Sequence, residues 1–359
     1  MQIFMLKSEI SNLQSRVLMS GNEAVAEAAI RAGCRAYFGY PITPQNEIPA
    51  YMSWRMHEVG GAFIQAESEL AAINMVYGAA ATGVRAMTSS SSPGVSLKQE
   101  GISYLAGSEL PAVILNVMRG GPGLGNIGPA QADYFQSTRG GGHGDYRTIV
   151  LAPHTVQEAV ELTKLSFDLA DKYRNPVLLL IDGILGQMME PIDSWGEMPE
   201  VPRVEKTWAL TGAKGRAPHK ICSFFIKDGM LEQHNKKLQE KYKKIEKNEV
   251  MVEMYDTDDA EIVIAAYGIS ARLCKEVVRK MRSDGVSIGL VRPISLWPFP
   301  YNAIPNGIKK VFVVELSAGQ FIDDVKIAVN GRCPIEFYGK TGGAFFSVEE
   351  IIEAIEGRI

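Results

Sequence analysis

Two glutamates flank a single serine at Glu67-Ser68-Glu69, after the strand-like run Ala62–Gln65 and at the head of an Ala-rich stretch. Carboxylates near a helix N-terminus gain roughly 0.3–1 kcal/mol from the helix dipole, and that alone would account for them. The chemical alternative is a glutamate presented to a bound heterocycle at a sheet edge. Arg119 stands just past the apolar run Pro111–Val117. A guanidinium there can grip a carboxylate through two parallel hydrogen bonds, or it can pair with a structural acid. In Tyr40-Pro41-Ile42-Thr43-Pro44 two prolines bracket Ile-Thr. They fix φ and push Tyr40 and Thr43 towards extended backbone. Such a turn would aim the Thr43 hydroxyl across the end of a strand, with Pro44 opening a helix. Ser89-Ser90-Ser91-Ser92-Pro93-Gly94 offers hydroxyls and free amides at a helix start, which suits an anion but is also ordinary turn chemistry.

Other patterns carry less. Gly123-Leu-Gly125-Asn-Ile-Gly128 fits G-x-G-x-x-G, with Asp145 about 20 residues on, as in a dinucleotide site. Five residues, Met118 to Pro122, separate it from the strand, and no long helix follows, so a flexible ligand loop at a strand end is favoured over NAD binding. Asp182-Gly183 resembles half of a magnesium–diphosphate motif without its downstream Asn, and reads as a plain strand end. His143 and His154 have no acid or nucleophile paired with them in the sequence, which gives a hydrolase little support. Cys34, Cys222, Cys274 and Cys333 are far apart and not at ligand spacing, so neither a zinc ribbon nor a self-contained iron–sulfur cluster is expected. Free thiols are expected instead.

These residues need elements to hold them. The chain has 359 residues and a net charge of −4, with no basic block of the kind nucleic acid requires. No apolar run reaches the roughly 18 residues that span a bilayer, and Met1–Leu6 is too short for a signal-peptide core. A cytoplasmic chain is the expectation. Short apolar runs alternate with helical spacing from about residue 17 to 182, and PAVILNV and PVLLLI are continuous enough for strands buried on both faces. The pattern predicts α/β architecture: two doubly wound, mostly parallel-sheet domains, at 1–189 and 259–359. Between them, residues 190–258 form a Pro-rich and Lys/Glu-rich insert. Within it, Leu231, Leu238, Tyr242 and Ile245 recur at helical spacing, as in a solvated helix docked by one apolar stripe.

Several strings resemble one family. Tyr-Pro-Ile-Thr-Pro at 40–44, Glu-Ser-Glu-Leu-Ala-Ala at 67–72, Thr-Ser-Ser-Ser-Ser-Pro-Gly at 88–94 and Gly-Pro-Gly-Leu-Gly at 121–125 resemble the alpha-type subunit of 2-oxoacid:ferredoxin oxidoreductases. Tyr-Gly-Ile-Ser-Ala-Arg at 267–272, Arg-Pro-Ile-Ser-Leu-Trp-Pro-Phe-Pro at 292–300 and Glu-Leu-Ser-Ala-Gly-Gln at 315–320 look like that family's transketolase-C-terminal-like domain. The first domain would then be the family's pyrimidine-binding domain. The likeness runs from about residue 17 to the C-terminus and is closest to the branched-chain, 2-oxoisovalerate type.

The resemblance implies thiamine diphosphate, with Glu69 contacting N1′ of the aminopyrimidine so that the ring removes the C2 proton, and Glu67 as the fallback. It implies Tyr40, Pro41 and Ile42 beside the cofactor, and Thr43 and Arg119 on the carboxylate and carbonyl of a 2-oxoacid. Oxidative decarboxylation with coenzyme A would give acyl-CoA, carbon dioxide and reduced ferredoxin. No metal ligand is expected in this chain. Magnesium and the diphosphate would be held by a thiamine-binding beta-type subunit, and iron–sulfur clusters by a ferredoxin-like subunit, with a gamma-type subunit completing the complex. Two other readings make different predictions: a nicotinamide dehydrogenase using 123–128, and a non-catalytic scaffold subunit. Substrates of the 2-oxoglutarate or aryl type are further alternatives. The isolated chain is predicted to bind thiamine diphosphate weakly and to be inactive; stoichiometric, tight binding by the purified chain in calorimetry would refute this.

Overall fold

The computed structural model describes residues 16–200 and 204–358; Met1–Leu6, Pro202 and Ile359 lie outside them. The elements follow in chain order: β1 Arg16–Ser20, α1 Gly21–Arg31, β2 Ala36–Gly39, α2 Glu47–Glu58, β3 Ala62–Gln65, α3 Glu69–Ala81, β4 Ala86–Ser90, α4 Pro93–Gly107 and β5 Ala112–Met118. Next come α5 Tyr134–Thr138, β6 Ile149–Leu151, α6 Val156–Tyr173, β7 Pro176–Asp182, α7 Gly183–Gln187, β8 Met189–Asp193, α8 Met230–Asn248 and β9 Val252–Tyr255. The remainder is β10 Ile262–Ala265, α9 Gly268–Ser283, β11 Ile288–Pro293, β12 Ser295–Trp297, β13 Lys310–Glu315, α10 Phe321–Val329, β14 Ile335–Gly339 and α11 Val348–Glu356.

Two mostly parallel sheets result, as the alternating pattern predicts. The larger has the order β12-β6-β7-β5-β4-β2-β3 and the smaller β14-β13-β10-β11-β9. All seven residues of β5 and all seven of β7 are buried, which explains their unbroken apolar runs. Each fully buried Val, Leu or Ile contributes about 1.5–3 kcal/mol, so this central pair dominates the stability of the layer. The chain runs outward from β2 to β3 and then crosses to β4 on the other side of β2. That reversal is a topological switch point, and ligands of open α/β sheets sit outside the carboxyl ends of the strands there. The strand-end residues Tyr40–Pro44, Glu67–Glu69 and Ser89–Gly94 all belong to this edge.

The structure departs from the sequence reading in four places. Helix α2 begins at Glu47, not beside Pro44; Asn46 stands at the cap position without a side-chain cap bond, its side-chain amide donating to Thr43 Oγ1. The stretch read as an insert contributes β8, which pairs antiparallel with β1, and β9, which is the antiparallel edge of the smaller sheet. Helix α8 docks through Leu238, Tyr242 and Ile245 as expected, whereas Leu231 is 48% exposed. Strand β12, only three residues long, leaves the second half of the chain and pairs antiparallel with β6 of the larger sheet. Among the described residues no helix is long and apolar enough to cross a membrane.

Polar groups stitch the two sheets together. Arg292, on β11, is buried and donates to both oxygens of Glu158 at 3.0 and 2.8 Å and to Glu253 at 2.6 Å. His154 turns Nδ1 to Glu158 at 2.5 Å and Nε2 to Lys275 Nζ at 3.0 Å. The histidine without an evident acid in the sequence therefore has one, four residues on. Burial pushes the Glu158 carboxyl up, but hydrogen bonds from His154 and Arg292 outweigh it and hold the group at about 2. Its folded value lies below its unfolded value of 4.5, so the stabilisation is complete above pH 4.5 and is lost as pH falls towards about 2. Arg292→Met should cost about 3 kcal/mol in urea denaturation at neutral pH, because it takes away the two-pronged partner of Glu158 and leaves Glu253 with Lys275 as its remaining ion-pair partner among the described residues, and should flatten that acid limb.

Candidate active site

Glu67 and Glu69 differ in what they face. Ser68 is extended and caps α3, its hydroxyl accepting from the Ala71 amide at 3.2 Å, so Glu69 becomes the first helical residue. Glu69 is buried and Glu67 exposed. The Glu69 carboxylate lies against Gly94 at the start of α4, where an added Cβ would come within 2.7 Å of its Oε1 and 2.1 Å of Ser90 Oγ. Only a glycine leaves room for that close approach.

The serine run divides into separate roles. Tyr37 and Ser89 share a hydrogen bond of 2.6 Å, and Ser89 donates onward to the Gln45 side chain. Burial pushes the Tyr37 phenol up, so it stays neutral. Ser90 and Ser91 are fully buried, with hydroxyls that have no partner among the described residues. Ser92 holds φ +26°, an uncommon backbone for a residue with a Cβ. The conformation is pinned from several sides. Its amide donates to Asn116 Oδ1 at 2.9 Å, its hydroxyl reaches Asp133 at 2.5 Å, and the Arg119 amide donates to that hydroxyl at 3.0 Å. Burial raises the Asp133 carboxyl, against the hydrogen bonds it accepts from Ser92 and Asn116.

Arg119 is 7% exposed and is brought together with Thr43, though not by the hydroxyl. Its Nη1 donates to the Thr43 carbonyl at 3.0 Å and its Nη2 to the Leu124 carbonyl at 2.9 Å, while its buried Nε has no partner among the described residues. No carboxylate neutralises it among the described ion pairs, so the structural-acid reading does not hold. A guanidinium has five donors, and the one on Nε is left without an acceptor among the described residues. The Thr43 hydroxyl accepts from Asn46 Nδ2 at 3.3 Å. Behind it, Asn22 clamps the turn, donating to the Pro44 carbonyl at 2.9 Å and to Glu47 at 2.8 Å. Tyr40 and Pro41 are exposed at the rim and Ile42 is partly buried.

The remaining motifs go elsewhere. The loop with the G-x-G-x-x-G spacing opens no helix but folds back on itself. Gly125, at φ +62°, packs on the Gly120 carbonyl, and the Asn126 amide donates to that carbonyl at 2.9 Å. Its tip exposes Leu124 and Ile127, at 80% and 66%. Asp182 caps α7, accepting from the amides of Ile184 and Leu185, and burial raises it to about 6. Among the described residues no group of three or more His, Cys, Asp or Glu is placed to hold a metal ion. Sequence reading missed Asn116, Asp133 and Lys98. A lone Asn inside AVILNVM was a usable signal; Lys98, buried within α4, had none.

The chain matches two family models: pyruvate flavodoxin/ferredoxin oxidoreductase, thiamine-diphosphate-binding, over residues 27–257, and pyruvate:ferredoxin oxidoreductase core domain II over residues 260–351. It is 52% identical to the ketoisovalerate oxidoreductase subunit VorB of Methanothermobacter marburgensis, covering 94% of this chain and 96% of that one. It is 37% identical to the 2-oxoglutarate synthase subunit KorA of Archaeoglobus fulgidus, covering 95% and 99%. Among solved structures it superposes on the 2-oxoglutarate:ferredoxin oxidoreductase of Magnetococcus marinus with TM-score 0.84 and 27% identity, over 96% of this chain and 65% of that chain. A split-gene transketolase shares the fold, at TM-score 0.59 and 12% identity. The chain belongs to the 2-oxoacid:ferredoxin oxidoreductase family. Gly94→Ala is expected to push the Glu69 carboxylate and the Ser90 hydroxyl aside, costing about 1–3 kcal/mol that a lowered melting temperature should report.

Proposed function

We propose that this chain is the alpha-type subunit of a thiamine-diphosphate-dependent oxidoreductase that converts a branched-chain 2-oxoacid and coenzyme A into acyl-CoA and carbon dioxide, passing two electrons to ferredoxin. The observation that carries the reading is the grouping at the switch point: buried Glu69 on Gly94, Ser90 and Ser91 hydroxyls and an Arg119 Nε that are buried and unpartnered among the described residues. These groups fit an aminopyrimidine and a small anion. Unsatisfied buried donors and acceptors cost about 1–3 kcal/mol each, and a ligand that supplies their partners recovers that cost.

When bound, the cofactor supplies an acidic carbon that adds to the 2-oxo group and stores the electron pair left as carbon dioxide departs. Glu69 would hydrogen-bond N1′ of the aminopyrimidine and hold its proton, with Glu67 outside the site. Tyr40, Pro41 and Ile42 would wall the ring. Arg119 would present its Nε edge to the substrate carboxylate, orienting it and steadying its charge. Thr43 would act mainly by fixing Arg119, with its hydroxyl towards the 2-oxo oxygen.

Half of the site belongs to partners on this reading. The Asp182 carboxylate is spent on capping amides, so magnesium and the diphosphate fall to a beta-type subunit. Cys34 and Cys274 are buried apart, and burial pushes the Cys34 thiol up to about 12, so electrons leave through an iron–sulfur subunit beside a gamma-type subunit. The preference for branched-chain acids rests on the likeness to the ketoisovalerate subunit.

Purification with the native partners, followed by a 2-oxoacid panel with coenzyme A and a viologen acceptor, tests the proposal. 2-Oxoisovalerate should exceed 2-oxoglutarate by about tenfold or more in kcat/KM; the reverse order would favour the 2-oxoglutarate type. Glu69→Gln should lower kcat about a hundredfold or more, and Arg119→Ala should raise KM about tenfold. Full activity of either variant would leave a scaffold subunit as the better description.

A further inference from the structure

Helix α3 lacks the charge that a solvent-facing helix normally carries. From Leu70 to Val84 the sequence holds no Asp, Glu, Lys or Arg. Helix α6, by contrast, turns Glu161, Lys164 and Asp168 outward. A helix that is apolar on every side belongs where it is covered on every side. Among the described residues α3 is covered on one side only. Ala72, Ile73, Val76 and Ala80 are buried, and Ile73 seats on Gly101 of α4, where an added Cβ would come within 2.6 Å of it. Leu70, Asn74 and Gly78 stand four residues apart on one outward stripe, with Leu70 47% exposed. On the neighbouring α4, Leu97 and Tyr104 also face outward, at 57% and 36%.

Gly78 shows how close the missing cover comes. Glycine is disfavoured inside a helix, and it recurs where another backbone approaches closely. No atom of the described residues lies within 4 Å of the Cβ that Gly78 lacks, so nothing in this chain requires a glycine there. A helix packed on the stripe from outside would require one.

One end of the stripe is the cofactor edge. Glu69 is the first residue of α3, and Gly94 at the start of α4 lies against its carboxylate. Beside them Ser90 Oγ, Ser91 Oγ and Arg119 Nε are buried without partners among the described residues. Whatever lies along α3 and α4 therefore reaches this edge as well. A second copy of this chain would not complete it, because that copy brings another Asp182 committed to the Ile184 and Leu185 amides.

We propose that the outward face of α3 and α4 is the docking surface for the subunit that holds magnesium and the diphosphate, so that one contact hides the apolar stripe and joins the two halves of the cofactor site. This assignment depends on the reading that the Glu69 edge takes the aminopyrimidine of thiamine diphosphate. The partner lays an uncharged helix face on Leu70, Asn74, Gly78, Leu97 and Tyr104. It carries cations opposite Glu67 and Glu100, which are both exposed.

The occupant is read directly by Leu97→p-benzoylphenylalanine, a photo-crosslinker, in the native complex, with mass spectrometry of the product. The cross-link should join this chain to the subunit that carries the magnesium ligands. A cross-link to a second copy of this chain, to any other subunit or to none overturns the proposal. Asn74→Lys should leave the melting temperature of the isolated chain unchanged, and Gly78→Leu should leave it unchanged or raise it. Both should weaken association with the partner about tenfold or more in calorimetry. Glu161→Ala, on α6, should leave association unaltered. Undiminished association in either stripe variant overturns the proposal; if Asn74→Lys lowers the melting temperature of the chain itself, Gly78→Leu decides. Thiamine diphosphate calorimetry on the native complex separates the two readings. A complex that binds none overturns the proposed function, whereas one that binds it but cross-links elsewhere overturns the docking surface alone.

Discussion

Gln131 spends its whole side-chain amide across the seam between the two sheets. Its Nε2 donates to the Tyr267 carbonyl at 2.9 Å, while Oε1 accepts from Ser270 Oγ at 2.6 Å and from the Leu316 amide at 2.9 Å. Its main chain also bonds to Leu316 and to the Tyr267 hydroxyl. A buried amide is tolerated only when satisfied in this way, so the seam has one good register. The consequence runs backwards along the chain. Residues 119–131 join the end of β5 to that pin, and Tyr134 and Phe135 extend it by bonding to Asp324 and Gln320. With both ends of the loop fixed, Asp133 reaches Ser92 and Arg119 is held over the Thr43 turn.

Around that frame the carboxyl edge of the larger sheet is built against its own stability. Among the described residues Ser90 and Ser91 lack partners and Arg119 keeps an unpaired Nε, and Ser92 holds a strained backbone. An apolar edge would have been easier to fold. The strain persists because Asn116, Asp133 and the Arg119 amide over-determine Ser92, leaving the strand ends pre-arranged for a ligand.

Much of this could be read from the amino-acid sequence where the signal was local. β5 and β7 are unbroken apolar runs because both of their faces are covered, and residues at the ends of strands are tied to a ligand edge by topology. The sequence left Glu67 and Glu69 as alternatives, and the structure separates them because Ser68 caps the helix and so makes Glu69 its first residue. The Thr43 carbonyl as the contact to Arg119 was not readable, because backbone partners leave no trace in residue type. Nor was Lys98, whose burial depends on how α4 lies over β4. Three-residue β12 and four-residue β9 are too short for any periodicity to show.

Strand β12 has a meaning for how such chains can be divided or joined. The second half of the chain returns three residues to complete the sheet of the first, and covers the edge of β6. A gene cut just after β9 would leave each product with an open strand edge and a stray strand, β6 and β9 in the first and β11 and β12 in the second, each prone to adhere to whatever it met. Shuffling of these modules is therefore constrained by threading as well as by interface. The two halves travel together because one of them finishes the other.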